Sequence, residues 1–341
     1  MPKRSDTLAP CSTGLLEDLL FVMRTRREHS SSDPVPQIGH RSQLDSKHLT
    51  GHRPVLLHES LEQLDIQPDD VVLDATLGGA GHAKEIVARL GPKGVFIGID
   101  ADADAIARAD EALKGAQAKI HLVEGNFKNV ESYLGKHVIS HLDKAFFDLG
   151  WSAYQLAAGR GFSFQNDEPL LMTYSRDAGD NLTAERIVND WAEESIADII
   201  YGWGEENAAR RIAKAIVAAR KEKRISTSVE LADIIARAVP RRSRIHPATK
   251  TFQALRIAVN DEIGALEQGL RSVWKSLISG GRLVVLTFHS VEDRAVKRIF
   301  REWAQKNEGE LLSKKPIAAS REEVLANPRA RSAKLRGIRK F

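Results

Sequence analysis

Short apolar runs that end in an acid or a glycine recur through the first half of the chain. Between these runs, apolar residues follow helical spacing, most clearly from Asp102 to Leu113. A short apolar run bounded by turn residues is typical of a buried parallel strand. The alternation of the two patterns predicts an α/β fold with a parallel, doubly wound sheet. The four apolar runs are VVLD at 71–74, GVFIGID at 94–100, IHLV at 120–123 and KAFFDLG at 144–150.

The hydrophobic pattern changes in the second half, where strand signals disappear over about a hundred residues and helical spacing dominates. Helices are predicted over Ala184–Trp191 and Ala208–Arg220, and another begins at a capping box, Thr227–Glu230. After a further helix, the apolar run RLVVLTF at 282–288 restores the α/β rhythm. We expect this strand to return to the same sheet.

These patterns set the expected domain limits. The α/β domain comprises residues 51–150 and 245–310, interrupted by a helical insertion over 151–244. Residues 1–50 are rich in serine, arginine, aspartate and proline, and predict a mostly disordered extension. Residues 311–341 are expected to form a basic tail, because the last fifteen residues hold six cations and no acid, against a net charge of +4 for the chain. Such a tail is either a solvated terminus or a contact for nucleic acid.

Composition places the chain among globular proteins and limits the kinds of site that it can carry. Hydrophobic residues make up 42% and charged residues 28%, and no apolar run is long enough to span a membrane. The one cysteine, Cys11, excludes an intrachain disulfide and a cysteine-rich metal site. A reducing compartment, the cytoplasm, is therefore expected. No metal site is predicted, because His52, His58 and His246 lack the spacing of metal ligands.

The stretch from Val71 to His82, VVLDATLGGAGH, predicts a buried strand that opens onto a tight glycine turn and a helix. Small residues in such a turn let the backbone approach a ligand. A dinucleotide fingerprint needs a small residue where the chain has Lys84, so adenosyl binding without a pyrophosphate fits better. Asp100, at the end of the next strand, is placed to accept hydrogen bonds from ribose hydroxyls. A purely structural α/β turn is the alternative.

Several long segments between residues 52 and 336 are specific enough to point to a family. They are HRPVLLHESL, DATLGGAGH, DLG, RGFSF, YGWGEENAARRIAKAIVAAR, PATKTFQALRIAVNDE, GGRLVVLTFHSVEDRAVKRIF and NPRARSAKLR. Together they resemble the bacterial ribosomal RNA small subunit methyltransferase H family (RsmH, also called MraW).

The resemblance implies a class I, Rossmann-like methyltransferase sheet with an inserted helical domain for substrate recognition. It also implies S-adenosylmethionine as the cofactor, and methylation of the exocyclic N4 of a cytidine in the decoding region of 16S rRNA within the small ribosomal subunit. A base inside folded RNA has to be splayed out into a pocket before it can react. No membrane partner is implied, and the expected state is a monomer or a homodimer.

The resemblance also carries a set of site residues onto this chain. Phe127 would offer an apolar face to the adenine, and backbone amides near Gly81 would approach the methionine carboxylate. His82 could instead cap the N-terminus of its helix. Asp148 is the candidate catalytic residue, accepting an N–H of the target N4, although a backbone carbonyl at 149–151 could do the same. The implied cofactor contacts are Ala80, Gly81, His82, Asp100, Phe127, Asp148 and Gln155.

Two segments beside the expected pocket depart from the family pattern. The family usually reads DLGVSSPQLD where residues 148–157 read DLGWSAYQLA, and DGPLDMRMD where residues 167–175 read DEPLLMTYS. Trp151 and Tyr154 are either base-stacking platforms or packing residues. The changes leave the cofactor half intact and motivate one alternative, a non-catalytic assembly factor that binds cofactor and rRNA. A second alternative is an enzyme of the same chemistry that acts on a different nucleic acid.

Two other groups of residues are weaker candidates. His289, which follows the strand at 282–288, is expected to be structural rather than a general base. Arg241, Arg242 and Arg244 form a basic cluster that is either a phosphate contact or a solvated loop.

Overall fold

The computed structural model describes residues 54–150, 159–174, 182–239 and 245–341. The extension expected over residues 1–50 lies outside the described residues. So do Trp151, Tyr154 and Gln155, and the basic cluster at Arg241, Arg242 and Arg244. Contacts within the described part divide it into two compact units, a sheet unit and a helical unit.

The sheet unit is built on a mainly parallel sheet, as the sequence predicts. Its strands run in the order β3-β2-β1-β4-β5-β8-β6, and β7 pairs with β8. Strands β1 to β5 are parallel to one another, whereas β8 is antiparallel to β5. The strands are β1 (Val71–Asp74), β2 (Val95–Asp100), β3 (Lys119–Glu124), β4 (Leu142–Asp148), β5 (Leu277–Thr287), β6 (Gly309–Leu311), β7 (Ile317–Ala318) and β8 (Lys334–Lys340).

Helices follow the strands in the order that the hydrophobic spacing predicts. Helix α1 precedes β1, and α2, α3 and α4 follow β1, β2 and β3 respectively. Further along, α10 leads into β5 and α11 follows it. The α-helices among the described residues are α1 (Leu57–Leu64), α2 (Gly81–Val87), α3 (Ala103–Ala112), α4 (Val130–Lys136), α5 (Ala184–Asp190), α6 (Glu193–Gly204), α7 (Ala209–Glu222), α8 (Ser228–Ala238), α9 (Thr249–Asn260), α10 (Glu262–Ser276), α11 (Ser290–Gln305) and α12 (Arg321–Ala326).

The strand β5 returns to the sheet after the helical segment, as expected. It pairs with β4 in parallel register, with Phe147 opposite Val285. It begins at Leu277, a few residues before the apolar run that predicted it. The strand β1 lies between β2 and β4, so the order of the strands reverses there. In open α/β sheets, ligands bind at the carboxyl ends of the strands beside such a reversal.

The C-terminal segment corrects one expectation. Residues 334–340 are not a basic tail, because they form β8, which pairs along its length with β5. Leu335 and Ile338 are fully buried within this strand, while Arg339 is exposed. The abundance of cations concealed a short strand whose apolar residues pack in the core and whose long basic side chains reach solvent or acids.

The helical unit contains α5 to α8 and most of α9. The capping box at the start of α8 is present, since Thr227 Oγ1 accepts the Glu230 backbone N–H at 3.3 Å and the Glu230 carboxylate accepts that of Thr227. Helix α6 was not predicted, although its buried Ile196, Ile200 and Trp203 follow helical spacing.

The limits of the helical unit differ from those expected for the insertion. Its described residues are 164–170, 183–239 and 245–258, so most of α9 belongs to it. Residues 159–163 and 171–174 belong to the sheet unit instead. A recognition role for the helical unit stays a prediction. In the described part of the chain, no helix is both long and apolar enough to cross a membrane.

Candidate cofactor-binding and active site

Three strands of the sheet end in an aspartate at the same edge. Asp74 ends β1, Asp100 ends β2 and Asp148 ends β4. The chain after β1 stays tied to both neighbouring strands, because Ala75 N–H donates to the Phe146 carbonyl and Leu77 N–H to the Ile99 carbonyl. The carboxyl ends of β1, β2 and β4 therefore form one edge, as expected for the ligand side of such a sheet.

The glycine turn after β1 is restricted by backbone conformation at two positions and by space at a third. Gly78 has φ of 50°, and Ala80 adopts the left-handed conformation with φ of 59° just before α2. A Cβ added to Gly81 would lie 2.5 Å from Pro54 Cγ. Ala80 is completely buried. The turn therefore requires small residues, and its backbone comes close to the space above the strand ends.

Asp100 is held in one orientation by two backbone N–H groups. Its Oδ2 accepts from Gly78 at 2.8 Å, and its Oδ1 accepts from Asp102 at 2.9 Å. Burial raises the pKa of the carboxyl group, and these two hydrogen bonds act in the opposite direction. Each carboxylate oxygen keeps a further lone pair, so Asp100 can also accept hydrogen bonds from hydroxyl groups of a ligand.

His82 is buried, and both of its ring nitrogens face oxygen acceptors. Nε2 lies 3.1 Å from the Val55 carbonyl oxygen, and Nδ1 lies 3.3 Å from Asp148 Oδ2. A carbonyl oxygen and a carboxylate can only accept, so both contacts are hydrogen bonds only when the ring carries two protons. Burial lowers the pKa of His82, but the hydrogen bond to Asp148 and the nearby acids outweigh it and raise the pKa. Protonated His82 therefore forms an ion pair with Asp148, whose side chain is partly exposed.

Asp74 is the most deeply buried acid of the group. Burial raises its pKa to about 8, so the carboxyl group is protonated at neutral pH. Its Oδ1 accepts the Thr76 backbone N–H at 3.1 Å, whereas its buried Oδ2 has no hydrogen-bond partner among the described residues. A buried polar atom without a partner carries a free-energy cost, which a polar ligand group at this edge would relieve.

Phe127 lies in a short 3₁₀ turn after β3, which is capped by the Asn126 side chain. Its ring packs edge-on against Phe147 of β4, with centroids 5.4 Å apart. It also packs against Gly269 of α10, where an added Cβ would lie 2.8 Å from Phe127 Cδ2. Phe127 is only half-buried. Its position is fixed by packing, and its predicted contact with adenine stays a prediction.

The geometry can be compared with known proteins at this point. The family model described as the MraW methylase family matches residues 49–341. The chain belongs to the MraW methylase family.

Curated relatives of this MraW methylase are similar over most of their length. The chain is 42% identical over 309 residues to the ribosomal RNA small subunit methyltransferase H of Clostridioides difficile (strain 630), covering 85% of this chain and 99% of the relative. It is 46% identical over 311 residues to the protein of that name in Acetivibrio thermocellus, with the same coverage. A solved rRNA methylase from Streptococcus thermophilus aligns with a TM-score of 0.40 and 10% identity over 83% of this chain and 93% of its own. A likeness that low carries no functional argument.

Most of the predicted site residues of this MraW methylase lie together. Hydrogen bonds and chain adjacency connect Ala80, Gly81, His82, Asp100 and Asp148 at one edge of the sheet, and Phe127 contacts β4 beside them. His82 does not cap α2, because Ala80 occupies the N-cap position. Their contacts with a cofactor stay predictions, and Gln155 lies outside the described residues.

Sequence reasoning did not assign roles to three groups in the site. The Thr76 hydroxyl oxygen accepts the Asp148 backbone N–H at 2.6 Å and so joins β4 to the turn. The Val55 carbonyl fixes the far side of the His82 ring. Asp74 carries the unpartnered oxygen. All three lie in the segments VLLH and DATLGG that were already singled out, but their contacts join positions up to 72 residues apart.

His289 of this MraW methylase has a structural role. Its Nδ1 accepts the Glu292 backbone N–H at the start of α11, and its Nε2 lies 2.9 Å from Glu292 Oε1. Ligand atoms of Glu262, His289 and Glu292 lie within 4.8 Å of one another. The Glu292 carboxylate also accepts the Phe288 N–H, and Glu262 accepts the Tyr174 hydroxyl at 2.7 Å. The helix cap and this hydroxyl contact account for the grouping of the three side chains without a bound ion. The absence of a metal site stays a prediction.

The described part of the altered segment at 167–175 is integrated into the protein. Tyr174 stacks on Phe162 with centroids 5.9 Å apart. Its backbone N–H donates to Asn260 Oδ1, and its carbonyl accepts from Arg160 Nη1. The tyrosine side chain at this position is therefore held by stacking on Phe162 and by its hydroxyl hydrogen bond to Glu262.

Proposed function

We propose that this MraW methylase transfers a methyl group from S-adenosylmethionine to the exocyclic N4 of a cytidine in the decoding region of 16S rRNA, in the small ribosomal subunit. The observation that carries the proposal is the convergence of Asp74, Asp100 and Asp148 with a small-residue turn at one sheet edge. Membership of a methylase family whose relatives are named for small-subunit rRNA supports it. The cytoplasm is the proposed location.

The residues at this edge fit the polar groups of S-adenosylmethionine. The cofactor supplies a methyl group on a positively charged sulfur, and carries an ammonium group and ribose hydroxyls as hydrogen-bond donors. Asp100 would accept from the ribose, since its oxygens are already oriented by backbone amides. A nearby ammonium group of the methionine portion would lower the pKa of Asp74, and the ionised, unpartnered Oδ2 would then accept a hydrogen bond from it. Phe127 would provide an apolar surface for the adenine.

Asp148 would act on the base that receives the methyl group. The lone pair of cytosine N4 is delocalised into the ring, so a hydrogen bond that draws on its N–H group favours attack on the sulfonium methyl. His82 and the Thr76 hydroxyl fix the position of Asp148. Methyl transfer to N4 has to be accompanied by the loss of one N4 proton, and the Asp148 carboxylate would accept that proton.

The helical unit would contribute to RNA binding. Arg210, Arg211 and Lys214 are exposed on α7 and form no ion pair or hydrogen bond with the described residues. Cations on one helix face are suited to phosphate contacts, which position RNA without reading its sequence. This supports the recognition role predicted for the insertion.

The test is to incubate the protein with methyl-labelled S-adenosylmethionine and immature small subunits, and to identify the labelled nucleoside after digestion of the RNA. We expect N4-methylcytidine from the 16S rRNA. Asp148→Asn should lower turnover at saturating cofactor by about 100-fold, the contribution typical of a positioned proton acceptor. Asp69→Asn is the matched control, because Asp69 is exposed in the same unit. Normal turnover in Asp148→Asn would remove Asp148 from the mechanism.

The altered segments at 148–157 and 167–175 favour a second candidate, a non-catalytic assembly factor that binds cofactor and rRNA. Binding of labelled cofactor without transfer of label to subunits would support this candidate over the enzyme. Parallel incubations with DNA and with free RNA separate both from an enzyme that acts on another nucleic acid. Label that appears only on DNA or on free RNA would identify that enzyme.

A further inference from the structure

A pocket lined by basic side chains opens at the other end of the sheet unit. It lies between α11, the loop from β6 to β7, and β8, and so is separated from the strands that carry Asp74, Asp100 and Asp148 by β5. Its volume is about 20 Å³, room for roughly one water molecule, and it widens into open solvent at the mouth. The side chains that matter here are Lys297, Phe300, Arg301, Ser313, Lys314 and Arg336.

One cation of the pocket is neutralised and fixed in place. Arg336 holds Asp293 through two hydrogen bonds, Nε to Oδ1 at 2.7 Å and Nη2 to Oδ2 at 3.2 Å. Lys334 Nζ donates to the same Oδ2 at 3.1 Å. Burial acts to raise the pKa of Asp293, but Arg336 and Lys334 lower it overall. Asp293 therefore pairs with two cations, and these three side chains together keep a net positive charge.

The other three cations of the pocket have no acidic partner within the described part of the chain. Lys297, Arg301 and Lys314 form no ion pair or hydrogen bond with any residue that the structure describes. Other cations of α11 differ, because Arg298 pairs with Glu267 and Lys306, just after the helix, pairs with Glu302. The helix thus has one side whose charges are balanced and one side, facing the pocket, whose charges are not.

Uncompensated cations around one pocket repel each other, and an anion among them would remove this repulsion. An arginine offers a planar set of donors that matches phosphate oxygens, and a lysine offers a mobile point charge. The buried Phe300 forms part of the wall and limits how far an anion can enter. The pocket is therefore suited to a tetrahedral, multiply charged oxyanion at its mouth.

We propose that Lys297, Arg301 and Lys314 bind a backbone phosphate of the RNA substrate, and so form an RNA-binding site apart from the methyl-transfer site. The choice of RNA rests on the proposed function. Such a site fixes the orientation of the RNA on the protein without reading its sequence.

The test compares two triple variants that remove the same charge from the sheet unit. The pocket variant is Lys297→Gln, Arg301→Gln and Lys314→Gln, and it leaves Arg336 in place to hold Asp293. The control variant is Arg298→Gln, Lys306→Gln and Arg339→Gln, three cations that already pair with acids. The probe is a transcript of the decoding region of 16S rRNA, and the measurement is its Kd across a series of KCl concentrations.

We expect the pocket variant to bind the transcript about 10-fold more weakly at low salt. The slope of log affinity against log salt should fall by about 0.7 to 0.9 for each phosphate that the variant no longer neutralises. The control variant should stay within about 2-fold of the wild type, because exposed paired cations contribute little. Equal affinities and slopes in the pocket and control variants would overturn the proposal. Thermal melting of both variants establishes that they are folded.

Two further measurements separate the possible failures. If the wild type transfers no methyl group but the pocket variant still binds RNA more weakly than the control, the proposed reaction fails and the phosphate site stands. If the wild type methylates rRNA and the pocket variant binds as the control does, only the phosphate site fails. Titration with inorganic phosphate tests the source: phosphate binding that the pocket variant abolishes, with RNA affinity unchanged, would assign the pocket to free phosphate and overturn the RNA-binding site.

Discussion

The Nδ1 atom of His82 lies 3.3 Å from the Oδ2 atom of Asp148. The opposite nitrogen of the ring contacts the Val55 carbonyl, so one imidazole joins the segment before α1, the start of α2 and the end of β4. The His82 ring also packs against Phe146 with centroids 4.8 Å apart. The residue that the family resemblance assigns to the cofactor is thus also a structural connection between these three segments.

Replacing His82 by leucine should destabilise the protein by about 2 kcal/mol, because the partly exposed Asp148 then loses a hydrogen-bond donor and cationic partner. Asp148→Asn removes the negative charge as well, so the double variant should be less destabilised than the sum of the single variants. Denaturant unfolding of the four proteins gives the coupling free energy, which we expect to be at least about 1 kcal/mol. Additive effects would show that the two side chains do not form an ion pair.

The stability of the cofactor-free protein should fall as pH rises toward 8. Asp74 keeps its proton up to about pH 8 in the folded state but releases it near pH 3.8 in the unfolded chain. The folded state therefore binds more protons over this range, and the free energy of unfolding decreases with pH. The raised pKa of His82 acts in the same direction, since its contribution is complete below pH 6.5 and is lost as pH rises through the folded pKa.

Asp74→Asn isolates the contribution of Asp74 to this pH dependence. The carboxamide has the shape of the protonated acid and does not titrate. Between pH 5 and pH 8, the free energy of unfolding of the variant should therefore decrease with pH less steeply than that of the wild type. We expect the two slopes to differ by up to about 1.4 kcal/mol per pH unit. Denaturant unfolding at several pH values measures the difference. Parallel curves for the variant and the wild type would mean that Asp74 ionises normally in the folded state.

Gly81→Ala should destabilise the protein by about 1–3 kcal/mol and weaken cofactor binding, because the added methyl group meets Pro54 Cγ at 2.5 Å and displaces the turn. Gly135→Ala is the control, since an added Cβ there meets no atom within 4 Å and Gly135 lies in α4. That variant should be neutral or more stable by up to about 1 kcal/mol. Calorimetric titration with S-adenosylmethionine and thermal unfolding distinguish the two variants.

The position of β8 inside the sheet can be tested by truncating its side chains. Ile338→Ala should cost about 2–5 kcal/mol, because Ile338 is fully buried. Arg339→Ala should cost at most about 1 kcal/mol, because the pair of Arg339 with Glu310 is exposed. If the segment were a solvated basic tail, neither substitution would change the unfolding midpoint.

The sequence predicts the parallel sheet well, because β1, β2, β4 and β5 are apolar runs whose length and boundaries are typical of buried strands. It does not predict β8, where Arg336 and Gly337 separate Leu335 from Ile338 and only pairing with β5 makes these two core residues. The pattern of apolar and polar residues reports only on neighbours along the chain. Burial of a residue in a sheet depends on partner strands that are distant in sequence.

The candidate site shows the same limit. The turn and the strand-end acids are visible in the sequence, because their residue types are dictated locally by strand, turn and helix. The raised pKa values of Asp74 and His82 are not visible, because both depend on burial and on contacts with Thr76, Val55 and Asp148. Electrostatic roles are assigned by the folded environment rather than by residue type.

Strands β4 and β5 are neighbours in the sheet although residues 149–276 lie between them. While the chain is being synthesised, the edge of β4 that pairs with β5 has no partner until those residues have been made. This takes on the order of ten seconds at typical elongation rates. An unpaired edge beside the apolar Phe146 and Phe147 is a site where nascent chains associate with one another. The length of the insertion therefore sets the time during which a chaperone would protect this protein most.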